Sequence, residues 1–276
     1  MRTFIRRVIE PPGPRKLLPE KVLADAKEIY AKMGKYAVEE SMLLVRVPID
    51  SAEYQMILDY EAKYQEYFPK KKRHYILEKE FTLQELNEAE YLILFVGNLT
   101  YPVYDGRFEF CCDKKCYSHS FRYRVPYRIE SKSLGNKHLG NMTDDGYVVS
   151  IALKNELEKH NLTNLVFIPA LKGRGDEIVG YRLETKHLLP PLEYFDQSKI
   201  LMRCQTTGIP VYTNEIEDLL EIKRSVALAM DDFNATYELM TSTGIRFYII
   251  SQRMYRIIKQ FTIRSFECEP IKIIPD

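Results

Sequence analysis

The chain has 276 residues, of which 45% are apolar and 29% charged, which is enough to bury a sizeable core and too apolar for disorder along its whole length. Lys and Arg total 40 against 39 Asp and Glu, a net charge of +1, so no overall field attracts phosphate backbones or acidic lipids and nucleic-acid binding is not implied. Five cysteines are too few and too unevenly placed for a disulfide framework and read as thiols of a reducing compartment.

From the N-terminus, Arg6-Arg7 is followed by Val8-Ile9-Glu10 and prolines rather than by a signal-peptide apolar run, and the segment reads as an exposed arm. Pro11 to Pro14 is a stiff lead-in to a helix over Pro19–Gly34, with Val22, Ala26, Ile29 and Met33 on one face. A strand over Ser41–Pro48, a Tyr- and Glu-rich helix over Ala52–Tyr67 and a strand over Arg73–Leu77 follow. Thr82-Leu83-Gln84-Glu85 has the form of a capping box opening a short helix that runs into the apolar strand Tyr91–Val96. That strand is the longest apolar run, far short of the roughly 20 residues a membrane helix needs, so the expectation is a soluble, cytoplasmic protein with no membrane partner. The boundaries expected are 1–100 for an N-terminal α/β region and 101–276 for a C-terminal α+β region. From Tyr101 the texture changes to short aromatic stretches read as hairpins, and Lys132–Gly146, rich in Gly and Asn, reads as a boundary or a mobile loop.

The C-terminal region matches itself at a shift of 101 residues, without a gap for 23 residues. Tyr147-Val148-Val149-Ser150 aligns with Tyr248-Ile249-Ile250-Ser251, Leu153 and Leu157 with Met254 and Ile258, Leu162 with Ile263, Leu165 and Phe167 with Phe266 and Cys268, and Pro169 with Pro270. Each copy has a Ser where a helix is capped, then apolar residues four apart, then apolar residues two apart ending at Pro. Met142 to Gly146 resembles Met240 to Gly244, which extends the units to 142–170 and 240–271. The fold class expected is therefore α+β, with mixed sheets, flanking helices and two similar helix-strand units in the C-terminal half.

Zinc requires four thiolate or imidazole ligands, and Cys112, Cys116, His119 and Cys204 supply them only if two distant segments meet. The spacing departs from CxxC at Cys112 and Cys116, and Thr207 stands where a partner for Cys204 belongs, so no metal and no cofactor is assigned. The basic run Lys70 to His74 lies among glutamates and reads as a solvated strand entry. Asp144-Asp145 and Asp231-Asp232 read as turn and helix-start signals, and Lys172-Gly173-Arg174-Gly175 as a tight turn rather than a phosphate loop. No catalytic residue emerges, and the scattered histidines form no HExxH or HxH group.

Three segments, LQELNEAEYLIL at 83–94, CQTTG at 204–208 and IISQRMYRIIKQFTIRSFECEPIKI at 249–273, resemble immunity proteins of bacterial polymorphic and contact-dependent toxin systems, in particular those with a double CxxCG signature. The resemblance implies a non-enzymatic cytoplasmic inhibitor whose partner is one cognate protein toxin. Thr207 departs from the family's CxxCG. The Tyr-rich helix at Tyr54, Tyr60, Tyr64 and Tyr67 and the loop 132–146 are the contact surfaces the sequence suggests. The alternatives are a zinc-binding or nucleic-acid-associated module, or an enzyme whose site is assembled from distant residues.

Overall fold

A computed structural model describes the chain except for residues 13, 69–74, 98, 102, 104–107, 111–120, 124, 131–133, 135–136, 143–145, 193–199, 205–206, 213–218, 240–244 and 264. The chain forms an α+β structure of two compact units, Met1–Thr82 and Leu83–Asp276.

In the first unit, β1 (Arg2–Val8), α1 (Glu20–Lys32), β2 (Ala37–Glu39), β3 (Leu44–Pro48), α2 (Ala52–Lys63) and β4 (Tyr75–Glu80) build a four-stranded sheet in the order β2-β3-β1-β4. The segment expected as an exposed arm is a correction: β1 is an inner strand, antiparallel to both β3 and β4. The alternation of Ile5, Arg7 and Ile9 with outward residues explains it, since a strand face of this kind is buried against helices. The helix α1 buries Val22, Ala26 and Met33 as its spacing predicts, and Gly34, at φ +52°, supplies the left-handed residue that ends it. Ser51 caps α2 by accepting the Tyr54 N–H at 3.1 Å.

The second unit begins with α3 (Leu83–Glu88), β5 (Tyr91–Val96), β6 (Leu99–Thr100), β7 (Phe108–Phe110), β8 (Phe121–Tyr123) and β9 (Tyr127–Ile129). It continues through β10 (Leu139–Met142), β11 (Tyr147–Val149), α4 (Ile151–Lys159), β12 (Leu165–Lys172), β13 (Ile178–Thr185), β14 (Ile200–Arg203), β15 (Pro210–Tyr212) and β16 (Glu221–Lys223). It ends with α5 (Arg224–Leu228), β17 (Phe233–Ala235), β18 (Tyr248–Ser251), α6 (Gln252–Ile258), β19 (Phe266–Pro270) and β20 (Lys272–Ile274). The stretch 132–146, expected as a boundary or loop, instead contributes β10, with Leu139 and Met142 buried.

Six strands in the order β6-β10-β11-β13-β12-β9 form a curled half-barrel. The Val103 N–H donates to the Arg128 carbonyl (2.8 Å) and the Glu130 N–H to that of Tyr101 (2.9 Å), so the segment after β6 reaches β9 at the far edge of the sheet. A second sheet has the order β17-β18-β5-β19. The strand Tyr91–Val96, placed with the N-terminal region on sequence, is thus the inner strand between β18 and β19 of the second unit.

The two similar units of the sequence are strand-helix-strand elements of the same build. Ser150 accepts the Leu153 N–H and Ser251 the Met254 N–H, both at 3.1 Å. Asn164 and Ser265, also 101 apart, both take left-handed φ, at +61° and +52°. The correspondence extends beyond the aligned residues. Val148 lies opposite Arg182 and Ile249 opposite Ile93, while Phe167 lies opposite Leu183 and Cys268 opposite Leu94. Hence β13 and β5 are equivalent strands. By the same logic β10 matches β17, since Leu139 faces Val149 and Phe233 faces Ile250. The final strand of the second copy precedes the whole first copy in the chain.

Both copies turn one face to a single apolar core, which includes Leu139, Tyr147, Val149, Leu153 and Leu183 of the first and Leu94, Phe233, Tyr248, Ile250 and Met254 of the second. The equivalent tyrosines Tyr147 and Tyr248 meet edge to face at 5.2 Å, and α4 packs on α6. Contacts between equivalent elements are the mark of a local two-fold arrangement. The opposite faces diverge. The first copy lines the half-barrel with Met142, Val148 and Ala170, whereas the second packs Ile93 and Ile249 against Leu220, Ile222 and Ile271.

Candidate functional site

Of the residues singled out on sequence for zinc, Cys112, Cys116 and His119 lie outside the described residues, as do Lys70 to His74 and Asp144-Asp145. Cys204 is buried at the end of β14. Its Sγ accepts the Thr207 N–H at 3.4 Å, its carbonyl accepts the Gly208 N–H at 2.8 Å, and Gly208 has φ +72°. This turn aims a backbone N–H at a sulfur, but Thr207 offers a hydroxyl in place of a second thiolate. Among the described residues no group of three or more His, Cys, Asp or Glu is placed to hold a metal ion. Burial pushes the Cys268 thiol up to about 12, the opposite of what a nucleophilic cysteine requires.

Of the contact surfaces suggested on sequence, the Tyr-rich helix is turned largely inward. Tyr60 and Tyr64 are core residues of the first unit: the Tyr60 hydroxyl donates to the Val22 carbonyl (3.1 Å) and that of Tyr64 to Asp25 (2.6 Å). Tyr54 and Tyr67 pack against the same cluster. Helical spacing put these rings on one stripe, and a stripe of that kind is buried when a sheet is available to cover it. Hydrogen bonds from Lys63 and then Tyr64 hold the Asp25 carboxylate below its usual range.

Two Ser-centred groups carry polar chemistry. His138 Nδ1 lies 3.0 Å from Ser150 Oγ, the arrangement of a nucleophile and its base. Its counterpart in the second copy is Asp232, whose Oδ1 accepts the Ser251 hydroxyl at 2.6 Å. In both, the serine N–H donates to the carbonyl of that same partner, His138 or Asp232, at 2.9 Å. Asp232 also accepts the backbone N–H (2.9 Å) and hydroxyl (3.3 Å) of Thr163. Nearby, buried Asn164 accepts the N–H groups of Lys186 and His187 and donates to the Phe233 carbonyl at 2.7 Å. These side chains tie the two copies to each other.

A cavity of about 180 Å³ opens beside this junction, where the end of β13 meets β17 and β18. Its floor is Arg182, 1% exposed, and its rim is exposed Lys186 and His187. Arg182 Nε donates to Glu184 Oε1 (2.9 Å), which also accepts the Tyr127 hydroxyl (3.2 Å), and the guanidinium lies 4.4 Å from the Tyr127 ring centre. Arg246 reaches in from the second copy, donating to the carbonyls of Thr236 (2.7 Å) and Tyr237, with Tyr248 beside it. Both guanidinium groups are thus engaged by groups of the protein itself, through charge-assisted hydrogen bonds that are strong where water is scarce. The sequence analysis missed this cavity. The signal was the alternation Arg182, Glu184, Lys186, which reads as a solvated strand face because its position inside a curled sheet is set only by the tertiary fold.

No protein-family profile matches this chain, and no curated protein matches it.

Proposed function

We propose that the chain is a non-enzymatic binding protein of the bacterial cytoplasm, an immunity protein that neutralises a cognate toxin by direct contact. The supporting observation is the duplicated role of the Ser150–His138 pair. It is the group most like a catalytic dyad among the described contacts, yet the equivalent place in the second copy holds Ser251 with Asp232. In both copies the serine oxygen is committed to the N–H of the third residue along, as an N-cap. A position that accepts His or Asp for the same task is serving the fold rather than a proton-transfer step. The choice of a toxin as partner rests on the resemblance of segments 83–94, 204–208 and 249–273.

The test is affinity capture of the tagged full chain from its source cells, with a high-salt wash, followed by co-expression with the captured protein. One stoichiometric partner that is toxic alone and harmless with this chain is the expected result. Stoichiometric metal without a partner, or turnover of a captured small molecule that ceases in His138→Ala, overturns the reading.

A further inference from the structure

Resting on the binding reading above, we infer that the tip of the β12–β13 hairpin, Arg174-Gly175-Asp176, is a docking point for the protein partner, which meets it with a carboxylate opposite Arg174 and a cation opposite Asp176. The tip is held in place from outside its own hairpin. Arg128 reaches across from β9 with its side chain 17% exposed, donates to the Gly173 and Gly175 carbonyls, and lies 3.4 Å from Asp176 Oδ1. The Gly173 N–H donates to the Ile129 carbonyl (2.8 Å), and the N–H groups of Lys172 and Gly175 donate to the carbonyls of Glu177 and Lys172, both at 2.9 Å. Gly173, at φ +51°, supplies the left-handed residue of the turn. A partner therefore gains contacts with this tip without first having to order a loop.

The tip is also exposed where it is charged. Residues 174–178 all face solvent, and the Asp176 side chain is 93% exposed. Arg174 forms no hydrogen bond or ion pair among the described residues, and there the Asp176 carboxylate has only its long contact with Arg128. A guanidinium binds carboxylates strongly, and arginines are frequent sources of binding energy at interfaces. With a net charge of +1 the chain has no overall field to draw in a partner, so recognition falls to charges paired at close range. Ile178, 39% exposed at the base of the tip, adds an apolar contact. Nor does the fold require this brace. The equivalents of β12 and β13 in the second copy, β19 and β5, pair with no turn between them, because β5 enters the chain ahead of the first copy. Arg128 lies opposite Leu171, whereas Glu221 lies opposite Lys272, 101 residues on, so the bracing arginine belongs to the first copy alone.

The test is calorimetric titration of the full chain with its captured and purified partner. Exchanging the two charges, Arg174→Asp together with Asp176→Arg, keeps the net charge and is expected to weaken binding about tenfold or more. Arg128→Ala, which frees the tip, is expected to weaken it less, and Arg256→Glu, an exposed charge change on α6, leaves it unchanged. Thermal melts confirm that each variant is folded; should the exchanged chain be unfolded, Arg174→Gln and Asp176→Asn take its place, each expected to weaken binding in the same sense. Binding that the exchange leaves unchanged, or that Arg256→Glu weakens as much, overturns this inference and leaves the binding reading standing. Absence of any stoichiometric partner overturns both. Loss of binding in EDTA assigns a metal ion as the cation that meets Asp176, and its retention assigns a lysine or arginine of the partner.

Discussion

Glu238 is 1% exposed, and among the described residues only one of its carboxylate oxygens has a hydrogen-bond partner, the Leu192 N–H at 2.7 Å. Burial raises its pKa above the usual glutamate value, while the Leu192 N–H, its own N–H and Arg246 act the other way. A raised native pKa means that the native state holds the proton more tightly than the unfolded chain does. Its stabilising contribution is complete below the ordinary glutamate range and is lost as pH rises through the native value. Glu238→Gln mimics the protonated form, so the variant is expected to match the parent in acid and exceed it by about 1 kcal/mol at neutral pH, as urea unfolding at several pH values checks. Thr100 poses the same problem without charge. It is fully buried on β6, beside Met142, and its hydroxyl has no partner among the described residues. Thr100→Val keeps the shape and removes the orphaned group, for an expected gain of about 1 kcal/mol in the same measurement.

The N-caps are the clearest link between sequence and structure at the level of elements. Ser150 and Ser251 have the same geometry, with ψ of 161° and 158°, and each bonds the N–H three residues on. Ser150→Ala and Ser251→Ala are each expected to cost about 1 kcal/mol in chemical denaturation followed by far-UV circular dichroism. Ser251→Ala is expected to cost the more, because it also strips a hydrogen bond from the buried Asp232 carboxylate, whereas Ser150 faces a partly exposed imidazole. Most helices and the apolar strand Tyr91–Val96 were legible from periodicity and from caps, but α5 was not. The arm at residues 2–8 was not, because seven residues holding three arginines read as solvated until Arg7 is seen paired with Glu61 of α2. The Tyr stripe of α2 was read correctly as a stripe, but its burial depends on a sheet that periodicity does not place.

For the second unit as a whole, the strand β5 is decisive. It lies between β18 and β19, while the entire first copy intervenes in the chain between it and them. Leu94 on β5 and its equivalent Leu183 on β13 are both at most 1% exposed and belong to one core. Leu94→Ala and Leu183→Ala are each expected to cost about 2–5 kcal/mol. Because the core is shared, the second unit is expected to unfold in a single transition in both variants, one that does not separate into two steps for the two copies, as denaturation read by hydrogen exchange at β11 and β18 checks. Pairing strands so distant in sequence also predicts slow folding of this unit relative to a helical domain of its size.

By itself the sequence determined the α+β class, most helices and the two helix-strand units, since caps and apolar spacings of two and four residues are local properties of the chain. Only the tertiary structure decided that β5 completes the second copy, that β1 is an inner strand, and that Arg182 lies in a cavity while its equivalent Ile93 lies in a core. Pairing partners and the inside of a curled sheet are set by contacts between distant segments, and these leave no periodic trace in the chain.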